Sequence, residues 1–366
     1  MAEKILIIGG TMFPRLAPRA HRATELAKEL ARQGNDVTLA AILGTYDYTQ
    51  FQEETGIKVR TIGIGSFDWN TSDKEKRHIA LWKKGMVYLF DRYMEFMNYS
   101  LARRVYKFLK WDEGYNRIIT VANPYGIHWG MAYAKTHCPH LRDVIWVSDC
   151  GDPYMGNPFS HHPFYFKYVE KWWCRHTDYI TVPTEIAKEG YYPEFRDKIH
   201  VIPQGFQFDD SLLAEYKKNE VPTFAYAGTV YPEKRDPRKF LDYLCTLDYD
   251  FKFYVFTNKP AMFNEYKDRL GDRLIMDGYI PRNTLLNTLS KMDFVINIRN
   301  ASAVQAPSKL IDYYLSHRPI LEIASDFQES AVYDAFVKGD YAGQVVIPNP
   351  EQYNIVNVAR NFLSLK

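Results

Sequence analysis

Short apolar runs alternate with amphipathic stretches along almost the whole chain. Apolar runs of this length are typical of buried strands, whereas apolar residues spaced three and four positions apart predict helices. In the first half the predicted strands are KILIIGG (4–10), DVTLAAIL (36–43), VRTIGIG (59–65), RIITVAN (117–123), DVIWVSD (143–149), DYITVP (178–183) and KIHVIPQG (198–205). The predicted helices between them are 18–33, 72–110, 125–137, 162–177 and 185–192.

The same alternation restarts after a polar segment, 207–222. The predicted strands are TFAYAG (223–228), FKFYVFT (251–257), RLIMDGYI (273–280), DFVINIR (293–299), PILEIAS (319–325) and QVVIP (344–348), and the predicted helices are 237–247, 262–270, 282–292, 307–317 and 350–365. This βαβ rhythm implies parallel, doubly wound sheets. We therefore expect an α/β chain with two Rossmann-like domains in tandem, 1–205 and 206–350, followed by a terminal helical segment, 351–366. Ligands of such sheets bind beyond the carboxyl ends of the strands, so the cleft between the domains is the expected active site.

Composition narrows the class of protein. With 366 residues, of which 46% are hydrophobic, each domain can bury a core. A net charge of +2 argues against a nucleic-acid surface driven by bulk charge. The four cysteines form no CxxC pair, which argues against a zinc site or disulfide scaffold and favours a reducing, cytoplasmic setting. We expect no signal peptide, and no apolar run approaches the ~20 residues that span a bilayer.

Aromatic residues are abundant, and many lie among Lys and Arg between Trp69 and Trp111. The favoured interpretation is that helices pack their aromatic faces on the core. The alternative is an interfacial surface, since aromatic and cationic side chains suit lipid headgroups. Peripheral contact with the inner face of a membrane therefore stays open.

The stretch PSKLIDYYLSHRPIL follows the apolar run MDFVINIRN directly. Pro307 and Ser308 suit the first turn of a helix. A helix that begins at the carboxyl end of a parallel strand presents unpaired N–H groups, for which phosphate is the usual ligand. Lys309 adds a positive charge there. Asp312, one turn further on, is placed to accept hydrogen bonds from a hydroxylated group such as a ribose.

A second anion-binding element is expected in GTVYPEKRDPRK. Gly228 and Thr229 end a predicted strand, and Lys234 and Arg235 follow shortly before a helix. Backbone N–H groups and fixed positive charge are what a diphosphate requires. A basic surface turn is the alternative, but the PSKL element in the same domain favours phosphate binding.

The opening loop GGTMFPRLAPRAHR lacks GxGxxG spacing, so it gives only a weak dinucleotide fingerprint. Gly10 allows a close approach of the backbone to a ligand, and Arg15 is favoured as a contact for an anionic acceptor. A solvated loop is an equally good interpretation of this segment.

Three further polar residues follow predicted strands. His128 lies near the start of a helix, where it can bond a sugar hydroxyl or phosphate or move a proton; a structural histidine is the alternative. Asp149 and Asp152 can orient acceptor hydroxyls or serve as a base, although Asp152 also suits a turn before the next proline. His161 and His162 are given little functional weight.

In order and spacing, these motifs resemble the GT-B nucleotide-sugar glycosyltransferases, most closely the retaining, family-4-like branch (glycosyl transferases group 1). The resemblance rests on GGTMFPRLAPRAHRATELAKELARQGNDVTL, NPYGIHWG, WVSDCGDPY, FAYAGTVYPEKRDPRKFLD, DGYIPRNTLLNTLSKMDFVINI and APSKLIDYYLSHRPIL, and covers nearly the whole chain. It implies a GT-B fold, in which an acceptor-binding and a donor-binding domain face a deep cleft and the C-terminal helix packs back on the first domain.

The resemblance also implies roles for matched positions in the second domain. Gly228 and Thr229 would let the loop approach the donor diphosphate, and Arg235, with Lys234, would neutralise it. The amides of Ser308, Lys309 and Leu310 would complete this phosphate site.

Four other positions take roles from the same resemblance. Asp312 matches the carboxylate that holds the nucleotide ribose. Tyr279 and Ile280 match the backbone that meets the base. His128 matches the histidine that touches the donor sugar near its reacting carbon.

One departure concerns the family's Glu-x7-Glu motif. Asp312 stands at its second position, whereas the first falls on Val304, which cannot bond a sugar hydroxyl. A related branch with a P-S-K-L-x-[DE]-Y signature also lacks that glutamate, and this chain is similar to that branch. Asn300, Ser302 and Gln305 are candidates to replace it.

The expected function is a hexosyltransferase-type glycosyltransferase that moves a sugar from a nucleotide-sugar to a saccharide or lipid-linked acceptor. Retention, independence of metals and other cofactors, and a context of cell-surface polysaccharide synthesis are expected too. The alternatives are a GT-B-like sugar-nucleotide epimerase or phosphorylase, a non-catalytic nucleotide-sugar-binding subunit, and a nicotinamide oxidoreductase, which the missing GxGxxG disfavours.

Overall fold

The computed structural model describes residues 2–15, 17–63, 89–157, 160–232, 235–278, 280–299 and 308–366. The chain divides into two compact units, Met1–Phe206 with Gln352–Lys366, and Gln207–Glu351. Each unit has its own parallel sheet, so the predicted α/β class is confirmed. Of the helical block predicted over 72–110, the part before residue 89 lies outside the described residues.

The first unit is built on a seven-stranded sheet. Its strands are β1 (Lys4–Gly9), β2 (Asp36–Ala41), β3 (Lys58–Thr61), β4 (Arg117–Val121), β5 (Ile145–Asp149), β6 (Tyr179–Val182) and β7 (Ile199–Val201). They pair in parallel in the order β3-β2-β1-β4-β5-β6-β7. The helices are α1 (Pro18–Arg32), α2 (Thr49–Thr55), α3 (Phe96–Leu109), α4 (Gly126–His137) and α5 (Phe166–His176), with 3-10 turns at Pro139–Leu141, Ile186–Gly190 and Pro193–Lys198.

The second unit is built on a five-stranded sheet. Its strands are β8 (Thr223–Ala227), β9 (Lys252–Phe256), β10 (Leu274–Asp277), β11 (Phe294–Ile298) and β12 (Ile320–Ile323), paired in parallel in the order β10-β9-β8-β11-β12. The helices are α6 (Arg238–Leu244), α7 (Ala261–Asn264), α8 (Lys267–Leu270), α9 (Arg282–Leu289), α10 (Ser308–Leu315) and α11 (Ser330–Val337), with 3-10 turns at Asp210–Leu212, Gly271–Arg273 and Pro350–Tyr353.

Both sheets have a topological switch point beside their first strand. The order of connection reverses between β1 and β4 in the first unit and between β8 and β11 in the second. Loops that leave neighbouring strands in opposite directions open a crevice at the carboxyl ends, where ligands of such sheets bind. All five residues of β4, β8 and β11 are buried, which explains their apolar sequences.

The terminal helix α12 (Ile355–Ser364) packs on the first unit, as expected. Val358 and Phe362 are fully buried in the cluster that also holds apolar residues of α1. The guanidinium of Arg117, on the central strand β4, is also fully buried and donates to the carbonyls of Phe362 (3.0 Å) and Leu365 (2.7 Å). These bonds satisfy carbonyl groups that a helix end leaves open.

One prediction about the second unit is wrong, and one of its helices was not predicted. The segment QVVIP forms no strand; Val345 donates one backbone hydrogen bond to Ile320 (2.9 Å), and a proline soon follows. The helix α11 was not predicted, although Tyr333 and Phe336 are spaced three apart and buried, as in an amphipathic helix.

In the described part of the aromatic segment, some apolar side chains pack on the core and others are exposed, while contact with a membrane stays a prediction. On α3, Leu101, Val105 and Leu109 face the core, while large apolar side chains nearby are exposed. The exposed ones are Leu89, Phe90, Tyr93, Met94, Phe96, Tyr99, Phe164, Tyr165 and Tyr168, here called the aromatic surface. Its two segments touch, because Arg92 donates to the carbonyl of His161 (3.0 Å). Within the described ranges, no helix combines the length and apolarity needed to cross a membrane.

Candidate functional site

The switch point of the second unit brings a glycine turn against the start of α10. Gly228, directly after β8, has a φ of +146°, which favours glycine. Its N–H donates to the carbonyl of Phe256 (2.9 Å), and a Cβ at this position would lie 3.4 Å from Cδ of Lys309. The loop after β8 and the start of α10, which lie far apart in the sequence, therefore meet at this switch point. This is the region where the sequence predicts a diphosphate site.

Lys309 carries a buried ammonium group in this crevice. Its Nζ has no hydrogen-bond partner among the described residues and lies 4.7 Å from the centre of the Tyr226 ring. Burial, and then the positive charge of Arg235, lower the pKa of Lys309 to about 7, although Glu322 acts in the opposite direction. A buried cation beside a second cation is unfavourable unless an anion binds to it.

Arg235 belongs to the same loop as Gly228. Tyr231 and Arg235 form an antiparallel bridge through two backbone hydrogen bonds of 3.2 and 3.0 Å. The Arg235 guanidinium donates to the carbonyl of Thr229 (3.5 Å). These bonds direct Arg235 back toward the strand end. Lys234 lies outside the described residues.

Asp312, on the second turn of α10, is held by Arg282. The Arg282 Nε lies 2.7 Å from a carboxylate oxygen of Asp312, and both side chains are largely buried. Arg282 was not predicted as a site residue. The signal that could have found it is its position at the start of α9, just after a strand, which is the pattern that identified Lys309.

Only some of the other residues predicted to bind the donor lie among the described residues. Ser308 is the first residue of α10, and Ile280 and Leu310 pack, partly buried, against one apolar cluster. Tyr279, Asn300, Ser302, Val304 and Gln305 lie outside the described residues.

The first unit has a cavity of about 1060 Å³ at its own switch point. Gly10 and Pro124, from the loops after β1 and β4, touch so closely that a Cβ on Gly10 would lie 2.4 Å from Cδ of the proline. Arg15 and Asp152 line this cavity together with Gly10, as expected for residues at strand ends. The lining mixes apolar residues with charged residues of both signs, among them Arg19, Arg104 and Asp91.

His128 lies beneath this cavity and is fully buried. Its Nδ1 is 2.8 Å from the hydroxyl of Thr120, and its Nε2 is 3.3 Å from the sulfur of Cys150. Burial lowers the pKa of His128 to about 3, so the ring is neutral. Contact between His128 and a donor sugar stays a prediction, and this structure gives the ring no exposed surface from which to act.

Asp149 is buried as well and takes part in an ion pair. Arg22 donates to both of its oxygens, at 2.7 and 3.0 Å, and Thr181 donates a third hydrogen bond (2.8 Å). Burial acts to raise the pKa of Asp149, but the Arg22 charge and hydrogen bonds lower it overall. These contacts tie α1 to the sheet. Of the three expected catalytic residues, only Asp152 lines the cavity.

Two residues that sequence reasoning did not favour do line it. Nδ1 of His162 lies 2.5 Å from a carboxylate oxygen of Glu95. The pair joins the loop before α5 to the residue before α3, a proximity that no local pattern reveals.

Comparison with solved structures shows the fold. The chain is similar to a glycosyltransferase from Rickettsia africae ESF-5, with 12% identity, coverage of 100% of this chain and 98% of that one, and a TM-score of 0.64. It is similar to HepE of Anabaena in complex with UDP, with 10% identity, 98% coverage of both chains and a TM-score of 0.64. It also resembles a UDP-N-acetylglucosamine 2-epimerase, with 14% identity, coverage of 99% and 95%, and a TM-score of 0.53.

Neither a protein-family model nor a curated protein sequence matches the chain. The structural likeness runs over nearly the full length of the chain. The chain therefore has the GT-B fold, which confirms the fold that the sequence motifs imply.

Replacing Lys309 with methionine should stabilise the ligand-free protein. The ammonium has a pKa of 10.5 when unfolded and about 7 when folded, so folding opposes its protonation. The penalty is full below a pH of about 7 and disappears as the pH rises through the unfolded pKa. We expect Lys309→Met to raise the free energy of unfolding by roughly 1–3 kcal/mol near pH 7. Urea denaturation of both proteins across this pH range measures the difference in the free energy of unfolding. A difference that does not shrink as the pH rises would contradict the assignment of Lys309 as a buried cation.

Proposed function

We propose that the protein is a glycosyltransferase whose second unit binds the diphosphate of a nucleotide-sugar. The observation that carries this proposal is the buried Lys309 ammonium, which lacks a hydrogen-bond partner among the described residues and lies at a switch point. A diphosphate would supply its missing counter-charge. The crystal structure of HepE with bound UDP supports a nucleoside diphosphate as the ligand class.

The groups around Lys309 suit the chemistry of a departing nucleoside diphosphate. Negative charge grows on the phosphate as its bond to the sugar breaks, and fixed cations and N–H groups stabilise it best. Arg235 and the first amides of α10 add to Lys309 in this role. Asp312, oriented by Arg282, is proposed to accept a hydrogen bond from the nucleotide ribose.

The donor site predicts how nucleotide affinity responds to substitution. Lys309→Met and Asp312→Ala should each weaken UDP binding by roughly 1–3 kcal/mol, about 5- to 150-fold in Kd. Arg235→Gln should have a smaller effect, because it also removes the repulsion that lowers the pKa of Lys309. Binding should take up a proton above a pH of about 7, which calorimetry in buffers of different ionisation enthalpy detects.

The matched control is Lys338→Met, since Lys338 is an exposed lysine of the same unit. Its UDP affinity should equal that of the parent chain. GDP, ADP and dTDP are tested beside UDP, and a chelator should leave affinity unchanged if no metal is needed. Unchanged affinity in both Lys309→Met and Asp312→Ala would show that the site is assigned wrongly.

The acceptor is proposed to be a saccharide or lipid-linked saccharide bound by the first unit, with retention at the transferred sugar and a context of cell-surface polysaccharide synthesis. Peripheral membrane contact through the aromatic surface fits such an acceptor. Lysines lie among its aromatic rings, for example Lys167 at 5.0 Å from the Tyr168 ring centre. Aromatic and basic side chains together suit anionic headgroups.

Membrane contact predicts that the chain sediments with phosphatidylglycerol vesicles and not with pure phosphatidylcholine vesicles, and that salt weakens the association. Phe164→Ser, at a side chain 72% exposed, should reduce the bound fraction severalfold. Val346→Ser, at a residue 78% exposed in the other unit, is the control and should change nothing. An equal loss of vesicle binding in both variants would show that the aromatic surface does not make the membrane contact.

An epimerase is the second candidate, because the chain resembles a UDP-N-acetylglucosamine 2-epimerase over 99% of its length. A transferase should return UDP-N-acetylglucosamine with its configuration unchanged when no acceptor is present. Nuclear magnetic resonance of the recovered sugar distinguishes the two activities. Formation of the 2-epimer at a catalytic rate would replace the transferase proposal.

A further inference from the structure

A carboxylate, an imidazole and a hydroxyl follow one another along the wall of the first unit's cavity. Nδ1 of His162 lies 2.5 Å from a carboxylate oxygen of Glu95, and Nε2 of the same ring lies 3.0 Å from the hydroxyl oxygen of Ser160. All three residues line the cavity. The side chains of His162 and Glu95 are 17% and 11% exposed, so the pair is shielded but reachable.

Glu95 is held in an unusual backbone conformation. Its φ of +49° is in the left-handed region, which residues other than glycine rarely adopt, and it immediately precedes α3. The side-chain amide of Asn98 donates to its second carboxylate oxygen. Such conformations persist where the surroundings fix them, and they cluster at binding and catalytic sites.

The charge of Glu95 determines which ring nitrogen of His162 is protonated. Burial alone would raise the pKa of Glu95, but hydrogen bonds from His162 and Asn98 lower it overall, so the carboxylate stays charged. In the neutral form of the ring, a charged carboxylate that accepts a hydrogen bond from Nδ1–H leaves Nε2 as an acceptor. The ring stacks on Tyr154 with centres 4.0 Å apart, which fixes the direction of Nε2.

Besides Tyr154, Glu170 is an ionisable group close to the dyad. It is fully buried, and burial raises its pKa to about 7; the backbone N–H of Met155 donates to it (3.4 Å). On the solvent side, Arg92 donates to the carbonyl of His161 (3.0 Å). Neither Glu170 nor Arg92 is hydrogen-bonded to a ring nitrogen of His162, so Nε2 remains directed at the hydroxyl of Ser160.

We propose that Nε2 of His162 accepts a hydrogen bond from a hydroxyl group of the acceptor saccharide, which takes the place of the Ser160 hydroxyl. His162 would be a binding residue, and Glu95 a positioning residue that acts through the ring. The cavity, at about 1060 Å³, has room for saccharide units, and the charged and polar side chains among its lining residues can bond their hydroxyl groups. This inference rests on the proposed function and deepens it, since it names the group that the first unit recognises.

The test uses the full chain labelled with ¹⁵N-histidine and a panel of methyl glycosides of glucose, galactose, mannose and N-acetylglucosamine. Without glycoside, His162 should show a protonated Nδ1 and an unprotonated Nε2. A bound glycoside should shift the Nε2 resonance. Ser160→Ala should tighten glycoside binding severalfold, because the serine no longer competes, whereas His162→Gln should weaken it at least tenfold.

Two further substitutions separate positioning from simple structural support. Glu95→Gln keeps an acceptor for Nδ1–H and should retain most of the glycoside binding. Glu95→Leu removes that acceptor, so the ring should no longer favour the Nδ1–H tautomer and glycoside binding should be lost. His137→Gln, at an exposed histidine on α4, is the control and should leave glycoside affinity unchanged.

Three results would overturn the proposal: a protonated Nε2 in the free chain, no shift at His162 with any glycoside of the panel, or weaker binding in Ser160→Ala. UDP affinity is measured separately in every variant and should not change. Loss of UDP binding in the parent chain would contradict the proposed function instead, so the two failures are distinguishable.

Discussion

A buried charge needs a counter-charge, and this constraint separates the groups that hold the structure together from those that bind ligands. Asp149 is buried in the first unit and meets Arg22 through two hydrogen bonds, so its charge is satisfied within the fold. Lys309 is buried in the second unit, beside Arg235 and with no hydrogen-bond partner among the described residues. Asp149 is the last residue of β5, and Lys309 is the second residue of α10. Of the two groups, only Lys309 carries a charge that a bound anion would help to neutralise.

The fold could be predicted from the sequence because parallel strands covered on both faces must be apolar along their length. The runs in β1, β4, β8 and β11 carry this signal, and their alternation with helices gives the tandem α/β order. The departures fall on short elements, where the signal is weaker: α2 was not predicted, the helix predicted over 185–192 is a 3-10 turn at Ile186–Gly190, and two others lie at the end of the second unit. QVVIP has strand composition but makes one ladder bond with Ile320, and α11 is short and has no side-chain cap.

Site residues could be predicted from the sequence only where they follow a predicted strand directly. That logic selected Gly10 and Arg15, which line the first unit's cavity, and Gly228 and Lys309, which lie close together in the second unit. It could not tell which way a side chain points, so His128 was favoured over a histidine in a later loop. His128 points into the core, between Thr120 and Cys150. The contact of His162 with Glu95 joins positions far apart in sequence, and no local spacing encodes it.

The two histidines show how burial decides chemistry within one unit. Around His128 both ring nitrogens meet internal partners, and the lowered pKa keeps the ring neutral, so it can take up neither a proton nor a substrate bond without structural change. Around His162 a charged carboxylate fixes one nitrogen, while the other faces a hydroxyl at a cavity wall. The same contrast holds between Asp149 and Lys309. In each pair, the fully buried group with internal partners stabilises the fold. The other group, His162 at a cavity wall or Lys309 without a hydrogen-bond partner among the described residues, is the one proposed to bind a ligand.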